Sequence, residues 1–259
     1  MADKLAIVTG ASTGIGFELA TLAAKDGYDL IVVADEPLIN AAARDLEQFG
    51  TQVTAVEADL STFDGVDTLL DAAQGRRIDV LCANAATGTG GGFLDQEPAD
   101  WRRAIDTNIT GTMYLLKKVL KQMVARGEGK VLVTGSIAGF IPGTFNAVYD
   151  GTKAFIDNVL PAIQNELKEV KGVTITNLMP GPTDTEFFAR ADMLDTNVGQ
   201  SDSKADPAKP AKDGWDAMMK GKASIVSGLM NKLQVAAAGV TPMSVMAQLH
   251  RGMAEPKEE

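Results

Sequence analysis

The alternation of short apolar runs with stretches of helical spacing is the feature of this sequence that most constrains its fold. Seven of these runs are rich in β-branched residues: LAIVT, DLIVVA, QVTAVEA, DVLCANA, KVLVTGS, VTITNLM and ASIVS. They are almost continuously apolar, which is typical of strands that helices cover on both faces. Strands that alternate with helices form βαβ units. We therefore expect an α/β fold, with a doubly wound, mostly parallel seven-stranded sheet and helices on both faces.

The segments between the runs have the spacing and the end signals of helices. ELATLAAKDG and AAARDLEQFG end at Gly27 and Gly50, where a left-handed residue closes a helix. Residues 98–126 are predicted to form one long helix. A second long helix is predicted from Asn146 onward, and we expect Pro161 to kink it.

The pattern predicts one domain over residues 1–259, because no stretch resembles an interdomain linker. Residues 184–212 contain two prolines and many small polar residues, and a long loop of this kind is often a lid. Residues 228–253 have apolar residues and methionines at helical spacing. We expect a C-terminal helical tail there, of one or two short amphipathic helices whose methionines serve packing.

Charge and hydropathy exclude several kinds of partner. The chain of 259 residues has a net charge of -10 and a pI near 4.7, which repels nucleic acid and anionic lipid. No segment approaches the roughly 18 consecutive apolar residues of a membrane span, and the first residues do not resemble a signal peptide. We expect a cytoplasmic protein with no nucleic-acid and no membrane partner.

A single cysteine and a single histidine exclude further chemistry. Cys82 has no partner for an internal disulfide, and its place in DVLCANA predicts a buried strand position. A Ser-His-Asp hydrolase or a multi-histidine metal site would need His250, which lies close to the end of the chain. We expect neither, and predict no bound metal.

Residues 9–16, TGASTGIG, connect the first apolar run to the first predicted helix. Gly10, Gly14 and Gly16 have no Cβ, so a ligand can approach the backbone closely. In a βαβ unit such a turn directs the free N–H groups of the helix toward a pyrophosphate. A tight turn can also need glycine for its conformation alone. We predict a Rossmann-like dinucleotide site, and the other residues of its turn are Ser12, Thr13 and Ile15.

Asp35 ends the second run and predicts which dinucleotide binds. An acid at this position accepts hydrogen bonds from the adenosine ribose hydroxyls. Together with Glu36 it would repel a 2′-phosphate, and Thr13 on the opposite side is not basic. We therefore predict NAD, with NADP less favoured. In the alternative interpretation, Asp35 only begins a polar turn or caps the helix after Pro37.

Two further runs end in polar residues that are predicted to lie beside the adenine and ribose. Asp59 follows the third run and Asn84 ends the fourth. Leu60 and Ala85 are the next residues along the chain and belong to the same predicted contacts. Each polar side chain can instead satisfy the local turn backbone, and the sequence leaves both interpretations open.

Tyr149 and Lys153 lie four residues apart in YDGTK, and therefore on one face of a helix. A phenol has a pKa of about 10 and is a poor base at neutral pH. A nearby ammonium, with the positive charge of an oxidised nicotinamide, would lower the pKa of Tyr149. Ser136 ends the fifth run, so its hydroxyl is predicted at the sheet edge where it can bind a substrate oxygen.

TGASTGIG, Asn84, Asn108, Ser136, YDGTK and PGPTDT occur in this order within the first 185 residues. As a set they resemble the short-chain dehydrogenase/reductase family. The resemblance implies that Ser136 orients the reacting oxygen, Tyr149 transfers the proton and Lys153 binds the nicotinamide ribose and lowers the tyrosine pKa. It implies that Asn108 holds a proton-relay water. Further cofactor contacts that it implies are Pro180, Gly181, Thr183 and Thr185.

The chain departs from the family pattern at three places. ANAA at residues 83–86 replaces the usual NNAG, and Asp150 lies beside the proposed catalytic tyrosine, where its charge would oppose phenolate formation. The glycine-rich C-terminal signature that closes a tetramer is missing. Two roles remain open for the tail, which are to cover the pocket or to form a dimer contact. We expect a homodimer or homotetramer, and the resemblance implies that residues 184–212 form the substrate loop.

These observations predict an NAD(H)-dependent oxidoreductase that transfers a hydride between nicotinamide and a small secondary alcohol or ketone. One alternative is an NADP-dependent ketoreductase, and another is a non-catalytic dinucleotide-sensing protein. Five apolar residues are predicted to flank the pocket and to favour a largely apolar substrate: Phe140, Phe145, Phe187, Phe188 and Met193. In the alternative interpretation the same residues only pack in the core, and the sequence leaves both open.

Overall fold

Seven parallel strands form one sheet in the computed structural model, which describes residues 4–257. Their bounds are Leu5–Thr9 (β1), Asp29–Ala34 (β2), Val53–Glu57 (β3), Val80–Ala83 (β4), Gly129–Thr134 (β5), Val173–Met179 (β6) and Ser224–Val226 (β7). The order across the sheet is β3-β2-β1-β4-β5-β6-β7, with every neighbouring pair parallel. The predicted doubly wound sheet is confirmed.

The helices cover both faces of the sheet, as the apolar runs predicted. Their bounds are Gly14–Lys25 (α1), Ile39–Glu47 (α2), Phe63–Asp71 (α3), Pro98–Ile105 (α4), Thr112–Arg126 (α5), Ala147–Glu166 (α6), Phe187–Arg190 (α7), Ala208–Met219 (α8), Leu229–Ala238 (α9) and Met243–Ala254 (α10). α1, α2 and α8 bury Leu19, Leu46 and Trp215 against one face. The helices α3, α5 and α6 pack on the opposite face of the sheet. β1, β2 and β4 are buried along their whole length, whereas the edge strand β3 is partly exposed.

The direction in which the chain crosses the sheet reverses at β1. The chain passes from β1 outward to β2 and β3, and then returns to place β4 on the other side of β1. At such a switch point the loops after the two central strands diverge and leave a crevice at their carboxyl ends. The glycine turn after β1 and Asn84 after β4 both lie at this crevice.

The predicted helix over 98–126 contains one turn of π-helix, Asp106–Gly111, between α4 and α5. Gly111 passes so close to the loop after β3 that a Cβ added to it would lie 1.8 Å from the Leu60 carbonyl oxygen. The extra residue in this wide turn is a tertiary feature that apolar spacing does not reveal.

The segment over 184–212 is more ordered than the loop prediction implied. It contains α7, and a β-bridge joins Thr183 to Ala205. Its last residues belong to α8, which begins at Ala208, so the predicted loop boundary was wrong there. Pro210 misled the prediction because a proline is tolerated in the first turn of a helix, where its missing N–H has no partner to lose.

The C-terminal tail forms two helices, α9 and α10. α9 has no buried residue, whereas α10 buries Met246, His250 and Ala254. The packing predicted for the methionines holds at Met246, but Met243 is mostly exposed. Within the described residues, no helix has both the length and the apolar character needed to cross a membrane.

Local predictions at single residues have mixed outcomes. Gly27 and Gly50 close α1 and α2 with φ of +79° and +81°, as predicted. Cys82 is fully buried in β4, and burial raises the pKa of its thiol. α6 continues through Pro161 to Glu166. The organisation of residues 1–259 as one domain stays a prediction, and residues 1–3 and 258–259 of that range lie outside the described residues.

We predict that Gly111→Ala destabilises the protein by about 3 kcal/mol, because the new Cβ would overlap backbone that cannot move aside. Gly151→Ala is the matched control: Gly151 lies in α6 with nothing within 4 Å of an added Cβ. A helix-interior alanine there is expected to stabilise by about 1 kcal/mol. Urea unfolding of both variants measures the difference, and equal stability would contradict the close approach of Gly111 to the Leu60 carbonyl.

Candidate functional site

A cleft of about 870 Å³ opens at the carboxyl ends of the central strands. It brings together nearly all residues that the sequence predicted for the site. Those that line it are Gly10, Ser12, Thr13, Gly14, Ile15, Asp35, Asp59, Leu60, Asn84, Ala85, Ser136, Tyr149, Lys153, Pro180, Gly181, Thr183 and Thr185. Gly16 and Asn108 do not line the cleft and are buried behind it.

The glycine turn has two residues in the left-handed region, Gly10 and Gly14, with φ of +63° and +58°. Gly16 has a different role from the predicted ligand approach, because an added Cβ would lie 2.0 Å from the Gly10 carbonyl oxygen. The missing Cβ of Gly16 allows the start of α1 to pack directly against the backbone of the glycine turn. Thr13 is the N-cap of α1 but makes no side-chain capping bond. The first N–H groups of α1 are therefore available to an anion, as a pyrophosphate site requires.

Asn84 holds the glycine turn in place. Its side-chain nitrogen donates to the carbonyls of Thr9 and Gly10 at 3.2 and 3.3 Å, and its oxygen accepts from the Thr134 hydroxyl at 3.0 Å. The backbone N–H groups of Asn84 and Ala85 donate to the Thr9 hydroxyl, each at 2.9 Å. Of the two interpretations of Asn84, the geometry favours satisfaction of the turn backbone.

The other end of the cleft carries acidic and basic side chains. Arg103 of α4 lies 2.6 Å from the Asp35 carboxylate and 3.2 Å from that of Asp59. Burial alone would raise the pKa of Asp59, but hydrogen bonds from Ser61 and the charge of Arg103 hold it below its ordinary value. The sequence analysis did not predict Arg103 as a site residue. Nothing in the local sequence indicates whether Arg102 or Arg103 faces the cleft.

A third acidic side chain at this end, Glu36, is similarly paired. Glu36 accepts from the Ser12 hydroxyl at 2.6 Å and from Arg190 of α7 at 2.8 Å. Arg190 therefore links the segment after β6 to the loop after β2. The predicted adenosine end of the cleft thus contains three carboxylates and two guanidinium groups, and it keeps a net negative charge.

Ser136, Tyr149 and Lys153 lie together at the opposite end. The Lys153 ammonium donates to the Thr134 carbonyl at 2.8 Å and lies 5.6 Å from the centre of the Tyr149 ring. Ser136 follows β5, and its hydroxyl accepts from the Ala138 N–H at 3.1 Å. It also lies close enough to the Tyr149 hydroxyl to lower the pKa of that phenol. This is the arrangement that the sequence predicted.

The pKa of Tyr149 departs from the expected direction. Burial raises it above its ordinary value, the charge of Asp150 adds to this, and the nearby Ser136 hydroxyl opposes it. Burial also lowers the pKa of Lys153 to about 8. We expected the Lys153 ammonium to lower the pKa of Tyr149. That expectation left out the loss of water around both groups, and this desolvation has the larger effect on the pKa.

Asp157 of α6 supports this end from behind. Its carboxylate accepts from the Asn177 side chain at 2.8 Å, and the nearby backbone N–H of Ser136 acts to lower its pKa. A Cβ on Gly135 would lie 2.0 Å from its Oδ1, so the loop that carries Ser136 lies directly on the carboxylate. Burial raises the pKa of Asp157 to about 6.

Asn108 contributes through its position in the π-helical turn. Its oxygen accepts from the Thr87 N–H at 2.8 Å, and its nitrogen donates to the Thr87 carbonyl at 2.8 Å and to the Thr152 hydroxyl at 3.0 Å. Both N–H donors of the amide are therefore used within the protein. The geometry indicates that this side chain joins the loop after β4 to α6, and the predicted contact of Asn108 with a relay water stays a prediction.

Aromatic and apolar residues line the remaining wall. Phe187, Phe188 and Met193 lie there as predicted, with the Phe187 ring 4.9 Å from that of Tyr149. Phe140 and Phe145 do not line the cleft. Phe187 and Met193 rest on the loop after β4, where a Cβ on Gly88 or Gly90 would lie 2.5 Å from them. The run TGTGGG at 87–92 is the signal that could have indicated this contact.

The C-terminal tail closes the cleft beside this wall. The Thr144 hydroxyl donates to the Ala247 carbonyl at 2.8 Å, and the Val198 N–H donates to the Met253 carbonyl at 2.9 Å. These two hydrogen bonds attach α10 to the loops around Thr144 and Val198, and α10 places His250 in the cleft wall. His250, which the sequence analysis set aside, is a site residue here. No group of three or more potential metal ligands occurs among residues 4–257.

Comparisons with known proteins agree with this architecture. Residues 4–195 match the short chain dehydrogenase family. An uncharacterized oxidoreductase of Staphylococcus epidermidis is 30% identical over 207 residues, which are 79% of this chain and 88% of that protein.

Two solved structures are similar over nearly the whole chain. A short-chain dehydrogenase from Sphingobium yanoikuyae, in complex with NADPH, is 26% identical with a TM-score of 0.81 and covers 92% of this chain and 94% of its own. A short chain dehydrogenase/reductase from Burkholderia phymatum, in complex with NAD, is 20% identical with a TM-score of 0.83. The match covers 99% of this chain and 98% of that one. The second likeness shows the fold alone. The family match extends over more than half of the chain, and this protein therefore belongs to the short-chain dehydrogenase/reductase family of NAD(P)-linked oxidoreductases acting on CH–OH donors.

Proposed function

We propose that this oxidoreductase transfers a hydride reversibly between NAD(H) and a secondary alcohol or ketone, with Tyr149 as the general acid and base. One observation carries the proposal: Ser136, Tyr149 and Lys153 line the same cleft into which the glycine turn opens. A proton-transfer group and a dinucleotide site in one cleft are what this reaction needs.

The residues of the cleft fit a dinucleotide. Gly10 and Gly14 have the left-handed backbone that leaves the turn open, and α1 presents uncapped N–H groups to a pyrophosphate. Asp35 lies at the end where ribose hydroxyls would bind. The bound nicotinamide supplies the hydride donor or acceptor, while Lys153 offers donors for the adjoining ribose hydroxyls.

The protein groups then handle the proton. In ketone reduction the Tyr149 hydroxyl donates its proton to the substrate oxygen, and in alcohol oxidation the phenolate accepts it. Ser136 donates a hydrogen bond to that oxygen and orients it. The raised pKa of Tyr149 keeps the phenol protonated at neutral pH, which suits the reduction direction. The Lys153 ammonium stabilises the phenolate that remains.

The charge at the adenosine end supports NAD. Asp35, Asp59 and Glu36 outnumber Arg103 and Arg190, and both arginines are already paired with these acids. A 2′-phosphate would have to displace a carboxylate from an arginine. For NADP to bind instead, Arg103 or Arg190 would have to leave its carboxylate partner and pair with the 2′-phosphate. Relatives do not decide between the two, because one solved structure holds NADPH and another holds NAD.

The remaining expectations concern the substrate's size, the assembly and the location. A small-molecule substrate fits the volume of the cleft. Assembly as a homodimer or homotetramer and a cytoplasmic location stay predictions.

We predict that Tyr149→Phe lowers kcat for ketone reduction by about a thousandfold and leaves NADH binding within about twofold, because only the proton donor is lost. Tyr114→Phe, in α5, is the control and is expected to retain full activity. Steady-state absorbance at 340 nm and NADH fluorescence titration measure the two effects. Undiminished turnover of Tyr149→Phe would refute the proton-transfer role. NADH binding without turnover of any alcohol or ketone by the unmodified protein would favour the dinucleotide-sensing alternative.

We predict that Asp35→Asn raises kcat/KM with NADPH relative to NADH by about tenfold, roughly 1.4 kcal/mol, because a repelling charge is lost and Arg103 gains freedom. The double variant Asp35→Asn, Arg103→Ala is expected to lose most of that gain. Initial rates with both cofactors test this. An unchanged cofactor ratio in Asp35→Asn would count against the assignment of NAD to this residue.

A further inference from the structure

Three buried polar side chains meet on the substrate side of the cleft. Asn146 precedes α6, Asp150 follows Tyr149 within α6, and His250 comes from α10. All three line the cleft, and their exposed fractions are only 5%, 2% and 9%. No step proposed above for the reaction uses any of them.

Each of the three has hydrogen-bonding capacity that the described part of the protein does not use. The Asn146 nitrogen donates to Asp150 Oδ1 at 3.1 Å, but Asn146 Oδ1 and Asp150 Oδ2 have no hydrogen-bond partner among residues 4–257. His250 Nε2 lies 3.6 Å from Asp150 Oδ2, which is too long for a direct hydrogen bond. Buried polar atoms are normally paired, so these three atoms point to a ligand group.

The protonation states define what that group is. His250 Nδ1 lies 2.9 Å from the Thr144 carbonyl, which can only accept, so Nδ1 carries the proton and a neutral ring leaves Nε2 as an acceptor. Burial lowers the pKa of His250 and raises that of Asp150 to about 8. At neutral pH both are uncharged, and Asp150 can donate from its carboxyl O–H. The three residues thus present one donor and two acceptors.

A hydroxyl group satisfies this set. Its oxygen accepts from Asp150, and its proton is donated to His250 or Asn146. A carbonyl would leave the acceptors unused, and a carboxylate or phosphate would meet two bare acceptors. A hydroxyl is a compact neutral group that uses both kinds of partner through a single atom.

The three groups are also held rigidly. A Cβ on Gly143 would lie 2.2 Å from Asp150 Oδ2, so the carboxyl lies directly on the Gly143 backbone. His250 is fixed by its bond to Thr144 and by the two-sided attachment of α10. Rigid polar groups select ligands strongly, because a ligand that lacks the matching group leaves them unpaired.

We propose that Asn146, Asp150 and His250 form a hydroxyl-binding subsite, so that the preferred substrate is a secondary alcohol or ketone that carries a second hydroxyl group. This inference rests on the proposed function and makes its substrate class specific. It also revises the expectation of a largely apolar substrate: the wall of Phe187, Phe188 and Met193 receives the carbon skeleton, and the subsite receives the second oxygen.

The test compares cyclohexanone with its hydroxylated positional isomers, using NADH and the full chain. For the best isomer we expect kcat/KM about tenfold to a hundredfold above that of cyclohexanone. Asp150→Leu and His250→Phe are expected to reduce this ratio to near unity. Asp150→Asn keeps a neutral donor in the same place and is expected to keep the ratio within about threefold. Leu249→Ala, at an exposed position of α10, is the control and is expected to leave activity and ratio unchanged.

A binding measurement separates this proposal from the proposed function. Calorimetry with the Tyr149→Phe variant and NADH is expected to show tighter binding of a hydroxylated isomer than of cyclohexanone, by about tenfold, and Asp150→Leu in that background to remove the difference. Tyr149-dependent turnover with no preference for any isomer would overturn the subsite alone. Absence of NADH-dependent turnover of every ketone would overturn the proposed function, while calorimetry would still decide whether the subsite binds a hydroxyl.

Discussion

The hydrogen bonds of the Asn84 side chain join the ends of β1, β4 and β5, and the cleft depends on them. The amide bridges the carbonyls of Thr9 and Gly10 to the hydroxyl of Thr134. These groups belong to the carboxyl ends of β1 and β5, which lie on either side of β4 in the sheet. By satisfying them, Asn84 keeps the glycine turn against β4 and holds the end of β5, from which the Ser136 loop continues. The two ends of the cleft thereby keep a defined separation.

Desolvation governs the chemistry at the proton-transfer end. Burial raises the pKa values of Tyr149, Asp150 and Asp157 and lowers that of Lys153. Each shift favours the neutral form, because few water molecules reach these groups. Asp150 opposes the phenolate only when it is ionised, and a pKa of about 8 leaves it mostly neutral at pH 7. A carboxyl group beside the tyrosine is therefore compatible with proton transfer.

The two ends of the cleft differ in how their polar groups are satisfied. At the proposed adenosine end the carboxylates are partly exposed and paired with Arg103 and Arg190, and solvent weakens these ion pairs. At the proposed substrate end Asp150 and His250 are buried and incompletely paired, and burial favours their neutral forms. The first arrangement suits a charged ligand that exchanges with solvent. The second suits discrimination between neutral ligands, since unpaired buried groups carry a large penalty.

Local patterns in the sequence were sufficient to predict the sheet, the glycine turn and the shared face of Tyr149 and Lys153. These depend on the period of a strand or helix and on the missing Cβ of glycine, which neighbouring residues alone define. Arg103 could not be assigned in this way, because it meets Asp35 and Asp59 only where the folded chain brings α4 beside the loops after β2 and β3. Nor could His250, which reaches Asp150 only because the loops around Thr144 and Val198 both hold α10. The direction of the Tyr149 pKa shift likewise depends on how completely distant segments exclude water, and that is a property of the folded chain.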